Sequence, residues 1–208
     1  MRQLALGISP DPQPTLENFV PGANADLVAR LRALADGTLP ETIVYLWGEA
    51  GSGRSHLLAA AARAATRSGG IAVADDVETL DDGGQRALFN AINAARESAG
   101  AVLAAGNAPP AGLRLREDLR SRLGWGLVYQ VRPLTDAERA VYLRDQAERR
   151  GMRLADEVIG YLLARARRDL PSLAAVLAAL DRLSLERQRH VTLPLAREAL
   201  RDLEPRQP

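Results

Sequence analysis

The segment Gly48-Glu49-Ala50-Gly51-Ser52-Gly53-Arg54-Ser55 constrains this chain more than any other. It fits the phosphate-loop pattern G-x-x-x-x-G-K-[ST], except that arginine stands where the pattern has lysine. An apolar strand-like run, Thr42-Ile43-Val44-Tyr45-Leu46-Trp47, precedes it, and a helix-like run, His56-Leu57-Leu58-Ala59-Ala60-Ala61, follows. Strand, glycine-rich turn and helix in that order is the context the motif needs, so the loop architecture is expected to be real. In such a loop Gly48, Gly51 and Gly53, with Ser52 between them, let backbone N–H groups face phosphate oxygens. The cation reaches the terminal phosphates and the hydroxyl, here Ser55, binds magnesium. Arg54 keeps the charge but not the shape, because a planar guanidinium is bulkier and more directional than an ammonium. The chain contains no lysine among its 27 Lys+Arg residues, so composition by itself offers a plain explanation of Arg54. A lysine needed for hydrolysis would resist such drift, and the favoured reading is a nucleotide fold with weakened chemistry.

Composition narrows the classes. With 208 residues and 47% hydrophobic content, the chain can bury one compact domain and a small appendage. A net charge of +1 gives no strong field for nucleic acid or an anionic membrane. The absence of cysteine excludes disulfides, thiolate nucleophiles and cysteine zinc sites. His56 and His190 are the only imidazoles and read as surface or packing residues. No apolar run approaches the roughly 20 residues of a membrane span, and the N-terminus has no signal-peptide core. The expectation is a cytoplasmic protein.

Residues 1–14 are rich in turn formers, Ser9-Pro10-Asp11-Pro12-Gln13-Pro14, and read as a flexible arm. Leu27, Leu31 and Leu34 fall on one face of a helix that starts at Ala25 and stops at Gly37. After the loop come the strand Ile71–Asp76, a helix over Gly84–Ser98, and strands at Ala101–Ala105 and Leu127–Val131. Strands alternating with helices predict a parallel sheet covered on both faces. Beyond Pro133 the pattern turns helical, with segments near Asp136–Arg150, Asp156–Arg168, Ser172–Arg189 and Pro194–Leu203. The expected division is an arm at 1–14, an α/β domain at 15–134 and a helical domain at 135–208.

Two further elements bear on chemistry. The strand ending in Asp75-Asp76 resembles a Walker B element, in which a carboxylate at a strand's C-terminal end holds magnesium. Asn107, just after another strand, is placed to orient a water attacking a terminal phosphate; turn chemistry in Gly106-Asn107-Ala108-Pro109-Pro110 is the plainer reading.

Together these elements resemble the AAA+ ATPases. The segment Glu117-Asp118-Leu119-Arg120-Ser121-Arg122-Leu123-Gly124-Trp125-Gly126-Leu127 is similar to box VII of the DnaA-related AAA+ family. The terminal arginine of that box acts as a finger in a neighbouring subunit's nucleotide site, a role the resemblance gives to Arg122. The segment Glu17-Asn18-Phe19-Val20-Pro21-Gly22-Ala23-Asn24 and the order of elements through the helical lid are similar as well. DnaA carries a helix-turn-helix domain after the lid, whereas this chain stops at Pro208, the build expected of the Hda-like regulatory inactivators of DnaA. The tip Gln3-Leu4-Ala5-Leu6-Gly7-Ile8 resembles the peptide by which such regulators bind the sliding clamp, with Gln3, Leu4, Leu6 and Ile8 as the contacts.

The chain departs from the family pattern in two places. Only Ser68-Gly69-Gly70 joins the loop's helix to the Walker B strand, so the second strand of an AAA+ core is expected to be missing. That leaves an α/β P-loop AAA+ core with a four-stranded parallel sheet, in the family's order with Ile71–Asp75 at the edge, plus a small helical lid. The family's sensor 2 arginine falls at Pro171, which offers neither charge nor donor. Arg168 is the nearest substitute, and Arg165, Arg167 and Arg168 read as a solvated face.

The resemblance implies an adaptor tethered to the DNA-loaded clamp, contacting DNA only indirectly, that stimulates ATP hydrolysis by DnaA through Arg122. Its own loop is then expected to hold ADP or ATP with magnesium weakly or not at all, through Ser55 and Asp75. A homo-oligomer is compatible with this reading. The alternative is an autonomous AAA+ ATPase of helicase-loader or clamp-loader type using Ser55, Asp75, Asp76 and Asn107; Arg54 and Pro171 count against it. A DNA-binding initiator fragment is disfavoured by the near-neutral charge.

Overall fold

The computed structural model describes residues 13–203, and the Gln3–Ile8 peptide lies outside them. Four strands, β1 (Ile43–Trp47), β2 (Ile71–Ala74), β3 (Ala101–Gly106) and β4 (Leu127–Gln130), form a parallel sheet in the order β2-β3-β1-β4. This is the expected order, with the Ile71 strand at the edge. The two inner strands are apolar along their length, as a sheet covered on both faces requires. Val44, Tyr45, Leu46 and the Val102–Ala105 run of β3 are fully buried.

Helices α1 (Ala25–Asp36), α2 (Arg54–Ala64), α3 (Asp82–Glu97) and α4 (Glu117–Gly124) accompany the sheet. Leu88 and Ile92 of α3, and Leu119 and Leu123 of α4, recur at four-residue spacing. They pack on Ile43, Tyr45, Val102 and Ala104 to make one core. Gly37 ends α1 with φ +73, a left-handed stop that glycine adopts without steric cost.

The α2–β2 join is too short to hold a further strand. The Arg67 guanidinium donates to the carbonyls of Leu34, Ala99 and Gly100 at 3.2, 2.8 and 2.9 Å. A Cβ on Gly69 would sit 2.3 Å from the Gly100 nitrogen, so only glycine lets the two backbones pass. The outcome is a bare edge: Ala72 and Val73 of β2 are exposed.

Four more helices follow: α5 (Asp136–Glu148), α6 (Asp156–Arg165), α7 (Leu170–Arg187) and α8 (Leu193–Leu203). Their core is built from Leu143, Leu162, Leu177, Leu180 and Ala196, all fully buried. A reciprocal cap starts α5: Thr135 accepts from the Glu138 N–H, while the Glu138 carboxylate accepts from the Thr135 N–H and hydroxyl. Those bonds hold the Glu138 carboxyl below its usual range. Several boundaries shift by one to three residues from expectation, and two of them bear on the site. Helix α6 ends at Arg165, because Ala166 turns extended, so Arg168 lies in a connection rather than on a helix. Helix α7 starts at Leu170, ahead of Pro171. Asp169 caps it by accepting from the Ser172 N–H at 2.8 Å, and proline in a first turn forfeits no intrahelical bond.

The chain separates into two compact units. One gathers the described residues up to Phe19, Asp26–Trp47 and Arg54–Gln130; the other gathers Val20–Ala25, Gly48–Gly53 and the residues from Val131 onward. The division runs through the glycine loop. Among the described residues, no helix is long and apolar enough to cross a membrane.

Candidate functional site

Residues Gly48–Gly53 are shaped by the helical unit to which they belong. A Cβ on Gly48 would meet the Val131 carbonyl oxygen at 2.5 Å and the Ser52 Oγ at 3.0 Å, so any side chain there displaces backbone. Gly51 and Gly53 take φ +78 and +100, the left-handed conformations that turn successive N–H groups inward. The Ser52 N–H closes the turn on the Glu49 carbonyl at 3.2 Å. The Ser52 hydroxyl is buried and has no hydrogen-bond partner among the described residues. A Cβ on Gly51 would lie 3.4 Å from the Asp169 Cβ, so the cap of α7 stands against the loop. Burial would raise the Asp169 pKa, but the Ser172 hydrogen bonds and the Arg167 charge, 3.3 Å away, outweigh it and hold the carboxyl below its usual range.

In the sheet unit, parallel pairing brings the ends of β1, β2 and β3 to one edge, where Asp75 and Asn107 follow their strands. Arg54 and Ser55 open α2, with Ser55 exposed. The Arg54 side chain is 11% exposed, and its Nη2 lies 3.5 Å from Asp76 Oδ1. Its Nη1 is buried without a partner among the described residues. Asp76 has φ +42, a left-handed backbone in a residue other than glycine. The Asp75 carboxylate accepts the Asp76 N–H at 2.9 Å. Thus the structure joins Arg54 to Asp76, while Ser55 and Asp75 share no bond.

Glu78, which the sequence did not single out, organises the end of β3. Its carboxylate accepts the Asn107 N–H at 3.3 Å, and it is the second neighbour a Cβ on Gly106 would strike, after the Tyr45 hydroxyl at 2.3 Å. Tyr45 donates to the Ala108 carbonyl at 2.8 Å. Burial first, then the Glu78 charge, push its pKa upward against the Arg54 charge, so the phenol stays protonated. Asn107 itself is exposed, as turn chemistry anticipates.

Each unit, taken by itself, holds one buried donor that an anionic oxygen would fit: Ser52 Oγ in the helical unit and Arg54 Nη1 in the sheet unit. A buried donor without an acceptor is costly, and both Ser52 Oγ and Arg54 Nη1 are in that condition. Phosphate oxygens would supply the acceptors. The described residues contain no cluster of three or more side chains able to hold a metal. Magnesium beside Ser55 and Asp75 would therefore rely on phosphate oxygens and water for most of its six positions.

Arg122 presents the opposite environment. It lies in the last turn of α4, its guanidinium 4.4 Å from the Trp125 ring centre and 5.3 Å from that of Phe89. Arg96 stacks on the same Trp125 ring at 5.3 Å, and Trp125 is 59% exposed. Among the described residues no carboxylate pairs with Arg122, whereas Arg120 pairs with Glu117 at 2.9 Å. Sequence reasoning quoted Trp125 without giving it a role and missed Phe89, which reaches Arg122 from another helix.

In the helical unit, Pro171 is exposed at the second position of α7 and Arg168 is exposed in the preceding connection. Asn24, buried in the lead-in segment, exchanges two 2.8 Å hydrogen bonds with the Arg132 backbone. The sequence pattern gave no hint of that pairing. In the sheet unit, His56 fills a packing role, 3.0 Å from the Thr15 carbonyl and beside Phe19.

Residues 136–200 match the family model described as the lid domain of Hda. Domain III of the replication initiation protein DnaA from Thermotoga maritima superposes with a TM-score of 0.73 at 21% identity, covering 94% of this chain and 99% of that one. AMPPCP-bound DnaA from Aquifex aeolicus gives 0.70 at 20% identity, over 92% of this chain and 71% of that one. The RuvB Holliday junction branch migration motor of Thermotoga maritima gives 0.67 at 16% identity, over 91% and 72%. The chain therefore has the AAA+ fold, residues 136–200 are similar to the lid domain of Hda, and the resemblance to Hda-like, DnaA-related proteins holds.

Proposed function

We propose that this protein is a regulator that stimulates hydrolysis of ATP bound to DnaA, donating Arg122 in trans while tethered to the DNA polymerase sliding clamp. The observation that supports this reading most is the state of Arg122. Its charge is cradled by aromatic rings and has no internal counter-ion among the described residues. A guanidinium so held keeps its hydrogen-bonding edge for phosphoryl oxygens, and its entropy is partly lost before docking. The similarity of residues 136–200 to an Hda lid supports DnaA as the partner. The tether is read from Gln3, Leu4, Leu6 and Ile8, and DNA is reached only through the clamp, in the cytoplasm.

The domain layout adopted is an arm at 1–14, a nucleotide-binding-type domain at 15–134 and a lid at 135–208. Its own nucleotide site is a weak one that favours ADP, without efficient turnover. Support comes from the Arg54–Asp76 pair, from Asp169 beside Gly51, and from Pro171, which has no N–H to give. Ser55 and Asp75 would hold magnesium when nucleotide binds; a bound magnesium would draw charge from the terminal phosphates. The second reading, an autonomous ATPase, draws on the unpartnered Arg54 Nη1, which suits an anion.

The deciding experiment measures hydrolysis of DnaA-bound ATP with DNA-loaded clamp, using the full chain and a chain lacking residues 1–8. Stimulation by the full chain, and much less by the truncated one at equal fold content, is expected, since tethering raises effective concentration. Equal rates with and without the protein would reject the reading.

A further inference from the structure

We infer that Asp76 is a built-in counter-ion that competes with phosphate for Arg54, so that the chain itself holds its nucleotide affinity low. The inference rests on the nucleotide reading of the glycine loop given above. Arg54 is nearly buried, and of its terminal nitrogens one faces Asp76 at 3.5 Å while the other is unpartnered. A carboxylate within ion-pair distance cancels part of the field that an incoming anion would feel. Half of the guanidinium fork is occupied, and half is free for a ligand.

The backbone at Asp76 points the same way. Its φ of +42 is a conformation that non-glycine residues rarely hold without a local reason. The Asp75 carboxylate and the Thr79 hydroxyl both fasten this turn, the first on the Asp76 N–H at 2.9 Å and the second on its carbonyl at 2.8 Å. The turn directs one carboxylate of the Asp75-Asp76 pair at the loop's cation and leaves Asp75 without an ion pair among the described residues. The two neighbouring aspartates thus have different tasks. Asp75 remains available for a metal, and Asp76 restrains Arg54. The Arg-for-Lys exchange fits this arrangement, because a planar fork can pair with a carboxylate and still extend a second nitrogen, whereas an ammonium is a single point charge.

Asparagine tolerates the left-handed backbone well, so Asp76→Asn removes the charge and preserves the turn. The test is calorimetric titration of ADP into the full chain without magnesium, since the metal would engage Asp75 and confuse the comparison. Asp76→Asn is expected to bind ADP about two- to fivefold more tightly than the wild type, as loss of a competing ion pair near the surface implies. Adding Arg54→Ala to that variant should erase the gain. Asp76→Gly, suited to the same φ, serves if the asparagine variant fails to fold. Wild-type binding that the Asp76 variants leave unchanged or weaken would overturn the counter-ion and keep the nucleotide site. So would a gain that survives Arg54→Ala. Absence of ADP binding in every variant would remove the nucleotide reading and the inference with it.

Discussion

Arg54 and Arg122 carry the same charge in opposite settings. Arg54 is packed away at 11% exposure against a carboxylate, while Arg122 lies on two aromatic rings with no carboxylate beside it among the described residues. A cation meant for the chain's own nucleotide would be expected free, and one without an outside partner would be expected paired. The reverse holds here. The contrast teaches that the number of arginines says little about function; what surrounds each guanidinium decides whether its charge is countered within the chain.

The strongest way to break this contrast is Arg122→Ala. Stimulation of DnaA-bound ATP hydrolysis should fall by about 10³ to 10⁵, the range measured for arginine fingers, while far-UV circular dichroism and ADP affinity stay as in the wild type. Normal stimulation would move the finger elsewhere, with Arg120 the next candidate.

A smaller effect contrasts the two surroundings through their glycines. In the loop, Gly48→Ala places a Cβ 2.5 Å from the Val131 oxygen and should destabilise the fold by about 1–3 kcal/mol in urea unfolding. Gly124→Ala, at the end of α4, meets nothing within 4 Å and should be neutral or stabilising by up to about 1 kcal/mol. Equal losses at both positions would deny that the loop is tightly built and the Arg122 end open.

The smallest expected change comes from the ring under Arg122. A cation–π contact at an exposed site contributes about 0.5–1 kcal/mol, so Trp125→Ala should reduce stimulation by roughly two- to fivefold. Trp125→Phe, which keeps an aromatic face, should retain most of the rate. If both variants match wild type in the same hydrolysis assay, the stacking contributes nothing to the presentation of Arg122.

Much of the fold was legible because its signals are local. Alternation of apolar strands with amphipathic helices and glycine at the loop and at Gly37 sufficed for a parallel sheet, while the count of four strands and their order came from the resemblance to the AAA+ family. Boundaries moved where capping overrode pattern, as at Asp169, which starts α7 ahead of Pro171 and leaves Arg168 in a connection. Site residues were found through motif spacing, yet their couplings were not. Nothing in the order of residues states that Asp76, rather than Asp75, turns toward Arg54, or that Glu78 holds the Asn107 backbone.

By itself, then, the sequence determined the α/β class, the phosphate-type loop with its arginine, the short Ser68-Gly69-Gly70 connection and the helical segment after Pro133. Each follows from chemistry within a few residues: side-chain periodicity, the φ freedom of glycine, the length of a connection. Tertiary structure alone decided which charges meet. It placed Asp169 against Gly51, joined the Asn24 amide to the Arg132 backbone, and set Phe89 under Arg122. The physical reason is that such pairs lie far apart along the chain, and their energies depend on distances and burial that exist only once the elements pack.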